Sequence, residues 1–263
     1  MEPIKISVIT VAFNASRYIE TTILSVINQT YSNIEYIIID GGSTDGTVDI
    51  IKKYSNKISY WISEPDKGIY DAMNKGINKA TGEWINFMNA GDTFHNPDTL
   101  SAVSEYLKNT SAEIVYGDVN HICEWGEKKC KPLPLHCIKH QMAFSHQSCF
   151  TNTKLMKQEK FSTKFKIAND YNFFYKQFIA NKSFLYIPIC IANYDTIYGI
   201  SAKQHFLAIK ENAYINGDIK TFKWKIQYTI SFILFSLRKL IRTILPSNIV
   251  LKIKRYQNTK IIW

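Results

Sequence analysis

Acidic residues are missing from the end of the chain: residues 219–263 hold ten Lys or Arg and no Asp or Glu. The first 218 residues carry 22 basic and 22 acidic side chains, so the formal charge of +10 belongs to the tail alone. A uniformly basic fold would suit nucleic acid; a neutral body with a cationic, apolar tail excludes that reading and points to an anionic membrane surface. Cysteine is scarce and unpaired in pattern. The five form no Cys-x-x-Cys pair, which argues against a disulfide framework. Cys123, Cys130 and Cys137 recur every seven residues near His121, His136 and His140, but without the close cysteine pair usual in compact zinc sites. No apolar run approaches the ~20 residues that cross a bilayer. The start lacks a basic flank, apolar run and small-residue cleavage site in sequence, so a signal peptide is not expected and the catalytic part is placed in the cytoplasm. Neither Gly-x-x-x-x-Gly-Lys-Ser/Thr nor Gly-x-Gly-x-x-Gly occurs, which removes the two commonest phosphate-binding loops. There is no internal repeat.

What is present is a strand–helix alternation. IKISVITVAF, Ile4 to Phe13, is rich in β-branched residues and reads as a buried strand, and Ile19, Ile23, Val26 and Ile27 then fall at helical spacing. IEYIII, Ile34 to Ile39, is a second such strand, followed by the turn Asp40 to Gly46 and a helix through Val48, Ile51 and Tyr54. Ile58 to Ile62 reads as a short strand, Ile69 to Ala80 as a helix and Trp84 to Met88 as a buried strand. Asn96 as N-cap with Pro97 at the first helical position starts a helix to about Lys108. Short links between alternating elements imply an α/β fold with a mostly parallel central sheet covered by helices on both faces. Ligands of such sheets bind outside the carboxyl ends of the strands. Beyond Glu113 the pattern loosens, with Ile114 to Tyr116 as a strand, Lys131 to His140 as a loop and Asn169 to Ala180 as a helix.

Three aspartates stand where strands are expected to end: Asp40 after IEYIII, Asp92 after WINFMNAG and Asp118 after EIVYG. A carboxylate closing a buried strand needs water, a cation or hydrogen-bond donors. That marks Asp40 and Asp92 as site candidates. For Asp118 a turn or cap is the better reading.

TVAFN, NQTYSNIEYIIIDGGSTDGT, EPDKGIYDAMNKGINKATGEW and NAGD, in this order and spacing, resemble the sequence blocks of family-2 glycosyltransferases of the Rossmann-like GT-A fold. The resemblance covers roughly Ile4 to Phe178, and EPDKGIYDAMNKG is similar to a bacterial subgroup that builds surface polysaccharides. It implies a nucleotide-sugar donor, with Val11, Ala12, Phe13 and Asn14 forming the rim on which the base rests. Asp40 would bond the base or ribose, as a carboxylate can accept from base N–H groups and sugar hydroxyls. Asn14 either meets the base or caps the next helix. Lys67, Asp71 and Asn74, at or near the start of one helix beside Glu64 and Asp66, would face the donor or form a polar stripe.

NAGD occupies the place of the family's DXD motif, which implies that Asn89, Ala90 and Gly91 lie against the donor and that Asp92 binds a divalent cation, Mn²⁺ or Mg²⁺. The chain departs from the two-carboxylate form, since Asn89 and Gly91 stand where acids are common. A hard cation can still take one carboxylate, phosphate oxygens and water. In KIANDYNFF, Asp170 matches the catalytic base, with Asn169 in place of a second acid. His146 and Gln147, in FSHQSCF, match a block near the acceptor and diphosphate.

The expected organisation is a GT-A catalytic domain over residues 1–218 and a membrane-association segment over 219–263. In that segment Ile230, Ile233, Leu234, Leu237, Ile241, Ile244 and Leu245 fall on one helical stripe, with Arg238, Lys239, Arg242 and Thr243 largely off it; Pro246 ends the helix and Ile249 to Arg255 continue as a short element. An amphipathic cationic helix lies in an interface better than it spans one. The resulting expectation is an inverting, metal-dependent transferase, peripheral on the inner face of the cytoplasmic membrane, acting on a lipid-linked or oligosaccharide acceptor. The alternative is a catalytically silent nucleotide-sugar-binding or scaffold subunit, suggested by the thinned acids at Asn89 and Asn169.

Overall fold

The computed structural model describes residues 3–123, 126–196 and 204–244, with side chains described as far as residue 237. Its sheet has nine strands, with β1 (Ile6–Ala12) pairing in parallel with both β2 (Ile34–Asp40) and β4 (Trp84–Phe87), and β2 with β3 (Tyr60–Ser63). Every residue of β1 is buried, as the unbroken β-branched run demands for a strand covered on both faces. Between these strands lie α1 (Ile19–Ile27), α2 (Thr47–Lys53) and α3 (Ile69–Lys79).

The chain winds outward from β1 through β2 to β3, then returns to place β4 on the other side of β1. That reversal opens a crevice at the carboxyl ends of β1 and β4, where ligands of open α/β sheets bind. Past β4 the directions mix. β8 (Cys149–Asn152) runs antiparallel to β4 and to β6 (Ile114–Cys123); β9 (Phe184–Asp195) runs parallel to β6, while β5 (Thr93–Phe94) and β7 (Gly126–Cys130) add antiparallel edges. The expected parallel arrangement thus holds for the first half of the sheet.

Two apolar cores cover the two faces. One joins β1 and β2 to Ile19, Ile23 and Val26 of α1 and Leu100, Val103 and Leu107 of α4 (Thr99–Lys108). The other joins them to Tyr70, Met73 and Ile77 of α3, Leu155 and Met156 of α5 (Thr153–Gln158), and Tyr171, Phe173 and Phe174 of α6 (Asn169–Ile179). α3 can lie this close because Gly76 has no side chain: a Cβ there would fall 2.5 Å from Ile9 Cγ2. Beyond β9 come α7 (His205–Ile215) and α8 (Phe222–Ile244), which meet where Phe206 packs edge-on against Tyr228, Phe232 and Phe235.

Local differences from the sequence reading have identifiable causes. α4 begins at Thr99, not at Pro97, because the Asn96 side chain accepts from the Asp98 N–H at 3.0 Å and forms a turn ahead of the helix. β6 extends seven residues beyond Tyr116, so Asp118 lies inside a strand, where it accepts from the Tyr186 hydroxyl at 2.8 Å beside an irregular stretch of the β6–β9 register. The stretch around residues 131–140 contains a 3₁₀ segment, Leu135–Lys139. The expected end of the tail helix at Pro246 and the element over Ile249 to Arg255 lie outside the described residues.

At the amino-terminal edge of the sheet, buried Glu35 accepts from Ser7 Oγ, Thr81 N and Thr81 Oγ1, each at 2.6 Å, and pairs with Lys5 Nζ at 3.2 Å. Burial alone would raise its pKa; these donors outweigh it and pull the carboxyl down to about 2. A carboxyl depressed in the fold stabilises above its unfolded pKa near 4.5 and loses that contribution as pH falls through about 2. Urea titration of Glu35→Gln should show a loss of about 1–3 kcal/mol at pH 7, and the gap to the parent should shrink as pH drops from about 4.5 towards 2.

Candidate active site

The crevice at the end of β1 and β4 is a cavity of about 1010 Å³, lined by Val11, Phe13, Asn14 and Gly41, by Asn89 to Asp92, His146 and Asp170, and by residues of α7. Phe13 follows directly on buried Val11 and Ala12, yet is 63% exposed. An aromatic face held open at a strand end is a platform on which a planar ring can stack. Asn14 sits in the left-handed region at φ 48°, its side chain accepting from Thr44 N at 3.1 Å and its own N–H donating to Ser43 Oγ at 2.7 Å. It ties two loops together. It does not cap α1, which starts at Ile19 without a side-chain cap.

Asp40 is turned away from the cavity and fully buried. Its carboxylate accepts from Gly42 N (3.1 Å), Ser43 N (2.9 Å), Ser43 Oγ (2.5 Å) and Ser63 Oγ (2.6 Å), and so shapes its own turn. The carboxylate that reaches the rim belongs to Asp66. A Cβ at Gly41 would lie 2.4 Å from Asp66 Oδ2 and 3.3 Å from Phe13 Cδ2, so Asp66 occupies the space that a side chain at position 41 would fill. Its Oδ1 accepts from Gly68 N at 2.7 Å, which sets the loop ahead of α3.

Lys67, Asp71 and Asn74 are not among the lining residues. Lys67 is exposed; Asp71 accepts from Lys67 N at 3.1 Å at the start of α3; Asn74 bonds both backbone polar groups of Phe161, at 2.8 and 3.0 Å. Asp71 and Asn74 bond the backbone at either side of α3 and so help hold it in place. α3 instead presents Ile69, Tyr70 and Ala72 to the cavity.

Asp92, 6% exposed, accepts from Gln147 Nε2 at 3.0 Å and from Asp195 N at 3.3 Å. Burial pushes its carboxyl up to about 6 against the opposing pull of Gln147 and His146. Nearby, Asn89 Oδ1 is buried without a hydrogen-bond partner. A buried carboxylate short of positive charge beside an orphaned carbonyl oxygen is a hard-oxygen donor set, which fits Mn²⁺ or Mg²⁺ with phosphate and water completing the shell. Among the described residues no three His, Cys, Asp or Glu side chains converge on one ion, at this position or around Cys123, Cys130 and Cys137.

His146 bridges to the second acid. Its Nε2 lies 3.1 Å from Asn89 Nδ2, an N–H donor, and its Nδ1 lies 3.3 Å from Asp170 Oδ2, so the assigned network places the ring proton on Nδ1. The Tyr70 hydroxyl sits between Asp170 Oδ1, at 3.1 Å, and the Ile167 carbonyl. Burial, and then the charge on Asp170, hold the Tyr70 phenol well above its ordinary pKa, keeping it a donor. Asn169 is fully buried and bonds both backbone polar groups of Phe165, closing the loop ahead of α6. It is a loop brace in the place of a second acid.

The Glycosyl transferase family 2 model matches residues 7–186. The chain is 27% identical over 205 residues to a PGL/p-HBAD biosynthesis glycosyltransferase of Mycobacterium bovis, covering 74% of this chain and 78% of that one. It is 30% identical over 203 residues to an uncharacterized glycosyltransferase of Mycobacterium tuberculosis, covering 77% and 67%. Among solved structures it is similar to S. aureus TarS 1–349 in complex with UDP-GlcNAc, at a TM-score of 0.65 and 19% identity over 80% of this chain. The match spans 66% of that chain, just under two thirds of its length. A mannosyltransferase of Pyrobaculum calidifontis in complex with GDP-Man and Mn²⁺ matches at a TM-score of 0.61 and 16% identity, over 98% of this chain and 88% of that one. At these identities the two structures carry the fold.

A carboxyl whose pKa is raised in the fold from 3.8 to about 6 contributes stability that is complete below the unfolded value and lost as pH rises through the folded one. In the absence of divalent cation, Asp92→Asn should therefore be more stable than the parent at pH 8 by about 2–3 kcal/mol. Thermal denaturation in chelator checks this: the difference should close towards pH 4.

Proposed function

Because the chain belongs to glycosyl transferase family 2 and has the GT-A fold, we propose that it transfers a sugar from a nucleotide-sugar donor to an acceptor hydroxyl with inversion at the anomeric carbon. The observation that carries this reading is the pairing of two acids through one short segment. Gln147 holds Asp92, the adjacent His146 holds Asp170, and both carboxylates line the same cavity.

The base of the donor stacks on Phe13, and Asp66, over Gly41, accepts from a base N–H or a ribose hydroxyl. Asp92, with the Asn89 carbonyl oxygen, would hold a divalent cation. When bound, that cation neutralises charge on the departing diphosphate. His146 is placed to orient Asp170 and Asn89 together. Asp170 takes the proton of the acceptor hydroxyl as its oxygen bonds to the anomeric carbon and the bond from that carbon to the diphosphate oxygen breaks; the nucleoside diphosphate leaves with the bonding pair. Tyr70, kept protonated, steadies Asp170 Oδ1 without competing for the proton.

The acceptor is a lipid-linked saccharide in surface-glycan assembly. Support comes from the relative named for PGL/p-HBAD biosynthesis and from α8. Phe222, Ile226, Ile230, Ile233 and Leu237 of that helix are exposed, while no helix of the described residues is long and apolar enough to cross a membrane. With the basic residues of 219–263, α8 would lie in the interface of an anionic bilayer.

Nucleoside diphosphate release, measured with UDP-GlcNAc and GDP-mannose in Mn²⁺ against a panel of lipid-linked saccharides, tests the chemistry. Asp170→Asn should lower kcat by about 10²- to 10⁴-fold while donor binding by calorimetry is unchanged; full turnover by the folded variant overturns the base assignment. Asp66→Ala should raise the donor KM by roughly tenfold, as for loss of a hydrogen bond of about 1.4 kcal/mol, with kcat retained. Activity that survives chelator undiminished excludes the cation from the reaction.

A further inference from the structure

The family match ends at residue 186, but the cavity does not. Its lining includes α7, which contributes Ala208, Ile209 and Asn212. The same helix carries Glu211, whose carboxylate accepts three consecutive backbone N–H groups: Lys166 at 2.9 Å on Oε1, and Ile167 at 2.9 Å and Ala168 at 3.0 Å on Oε2. These amides immediately precede α6, and Ala168 is its N-cap residue, with no side-chain cap of its own. Successive N–H groups aimed at one point form an anion cradle, and the positive end of α6 adds to it. Here an acid from another helix fills that cradle with charge-assisted bonds.

The gripped segment is the one on which the proposed base depends. Asp170 is the second residue of α6, two positions beyond the last gripped amide. The Ile167 carbonyl receives the Tyr70 hydroxyl that also faces Asp170 Oδ1, so the depth of this loop sets both the helix start and the base's neighbour. Further contacts pin the same loop to α7, with Phe165 edge-on to Tyr214 at 5.8 Å and Lys164 Nζ over the Tyr214 ring at 4.9 Å.

We propose that Glu211 is a positioning residue for Asp170: it fixes residues 166–168 so that the carboxylate meets His146 and the acceptor hydroxyl in the reactive geometry. This rests on the reading of Asp170 as the base. A misplacement of about 1 Å at a reacting group can cost on the order of 100-fold in rate, so the loss should appear in kcat. Glu211 bonds the backbone of residues 166–168, whereas Asp66 bonds Gly68 N and adjoins Phe13 over Gly41, so donor KM should be spared.

The test uses the full chain with Glu211→Gln, Glu211→Ala, Asp170→Asn and the double variant Asp170→Asn/Glu211→Gln. Hydrogen exchange at the amides of residues 166–168 is followed by mass spectrometry, and nucleoside diphosphate release by UDP-GlcNAc and GDP-mannose with Mn²⁺. Expected are faster exchange confined to that segment in both Glu211 variants, and a kcat for Glu211→Gln lower by about 10- to 100-fold at a donor KM within about twofold of the parent. The double variant should be no slower than Asp170→Asn, since two changes acting through one group are not additive. Unchanged exchange overturns the proposal whether or not either donor is accepted. So does a double variant slowed by the full product of the single effects, or a loss confined to KM. Normal turnover by Asp170→Asn would instead overturn the base assignment, leaving the exchange result to say whether Glu211 holds the loop. Should Glu211→Ala fail to fold, the isosteric Gln variant carries every arm.

Discussion

A carboxylate placed in a protein interior has to be met by a cation or by hydrogen-bond donors, and at Asp92 this requirement draws the second half of the fold together. The acid leaves β4 by the turn in which its own N–H bonds the Asn89 carbonyl at 2.9 Å. Its two oxygens then recruit the side chain of Gln147 and the backbone at the end of β9. Two neutral donors do not balance the charge, as its raised pKa shows. In the proposed reading, that deficit is what a bound divalent ion would meet. Because Gln147 and His146 are adjacent, satisfying Asp92 also places the imidazole between Asn89 and Asp170.

The sheet makes this convergence possible. Reversing direction about β1 leaves its carboxyl end uncovered, and the residues after β4 run on beside it, with Met88 N donating to Ile9 O at 3.0 Å and Ala90 N to Val11 O at 3.2 Å. The segment leading to Phe13 and the turn leading to Asp92 are thus neighbours across one pair of strands. The mixed directions beyond β8 serve a different need: β6 and β9 run parallel so that the end of β9 arrives at Asp92.

The legible parts of the sequence were those governed by local periodicity. The runs ending in Ala12, Asp40 and Phe87 are short and dominated by β-branched and aromatic residues, which suits buried strands. Asp92, Asp170, His146 and Phe13 were legible as candidates because strand ends and block spacing mark them, and the fold brings them into one cavity. Asp40 looked equally promising, yet its strand-end position says nothing about where its oxygens turn. Two backbone amides and two serine hydroxyls within reach decide that, and one of the serines comes from β3. Asp66 carried a usable signal in the glycine at position 41, which leaves room for a side chain from elsewhere, but the donor of that side chain is a tertiary fact. Glu211 carried none: an acid within a helix of mixed pattern reads as solvated until the loop it grips is known.

A neutral residue meets a neighbouring group at three positions near the acids of the site. At 41 a glycine admits Asp66; at 89 an asparagine meets His146; at 169 an asparagine braces the loop through Phe165. In each case a neutral residue stands close to the acid in sequence, and at Asp92 the nearby Asp195 adds like-charge repulsion to the effect of burial. Under the proposed reading, Asp170 is the one acid in the first turn of α6 and is held by His146 and the Tyr70 hydroxyl. The consequence is geometric. A pair of acids offers several productive oxygens, whereas a single one has to be aimed, and in this fold the aiming falls to residues drawn from α3, from the His146 turn and from α7 beyond the family's own boundary.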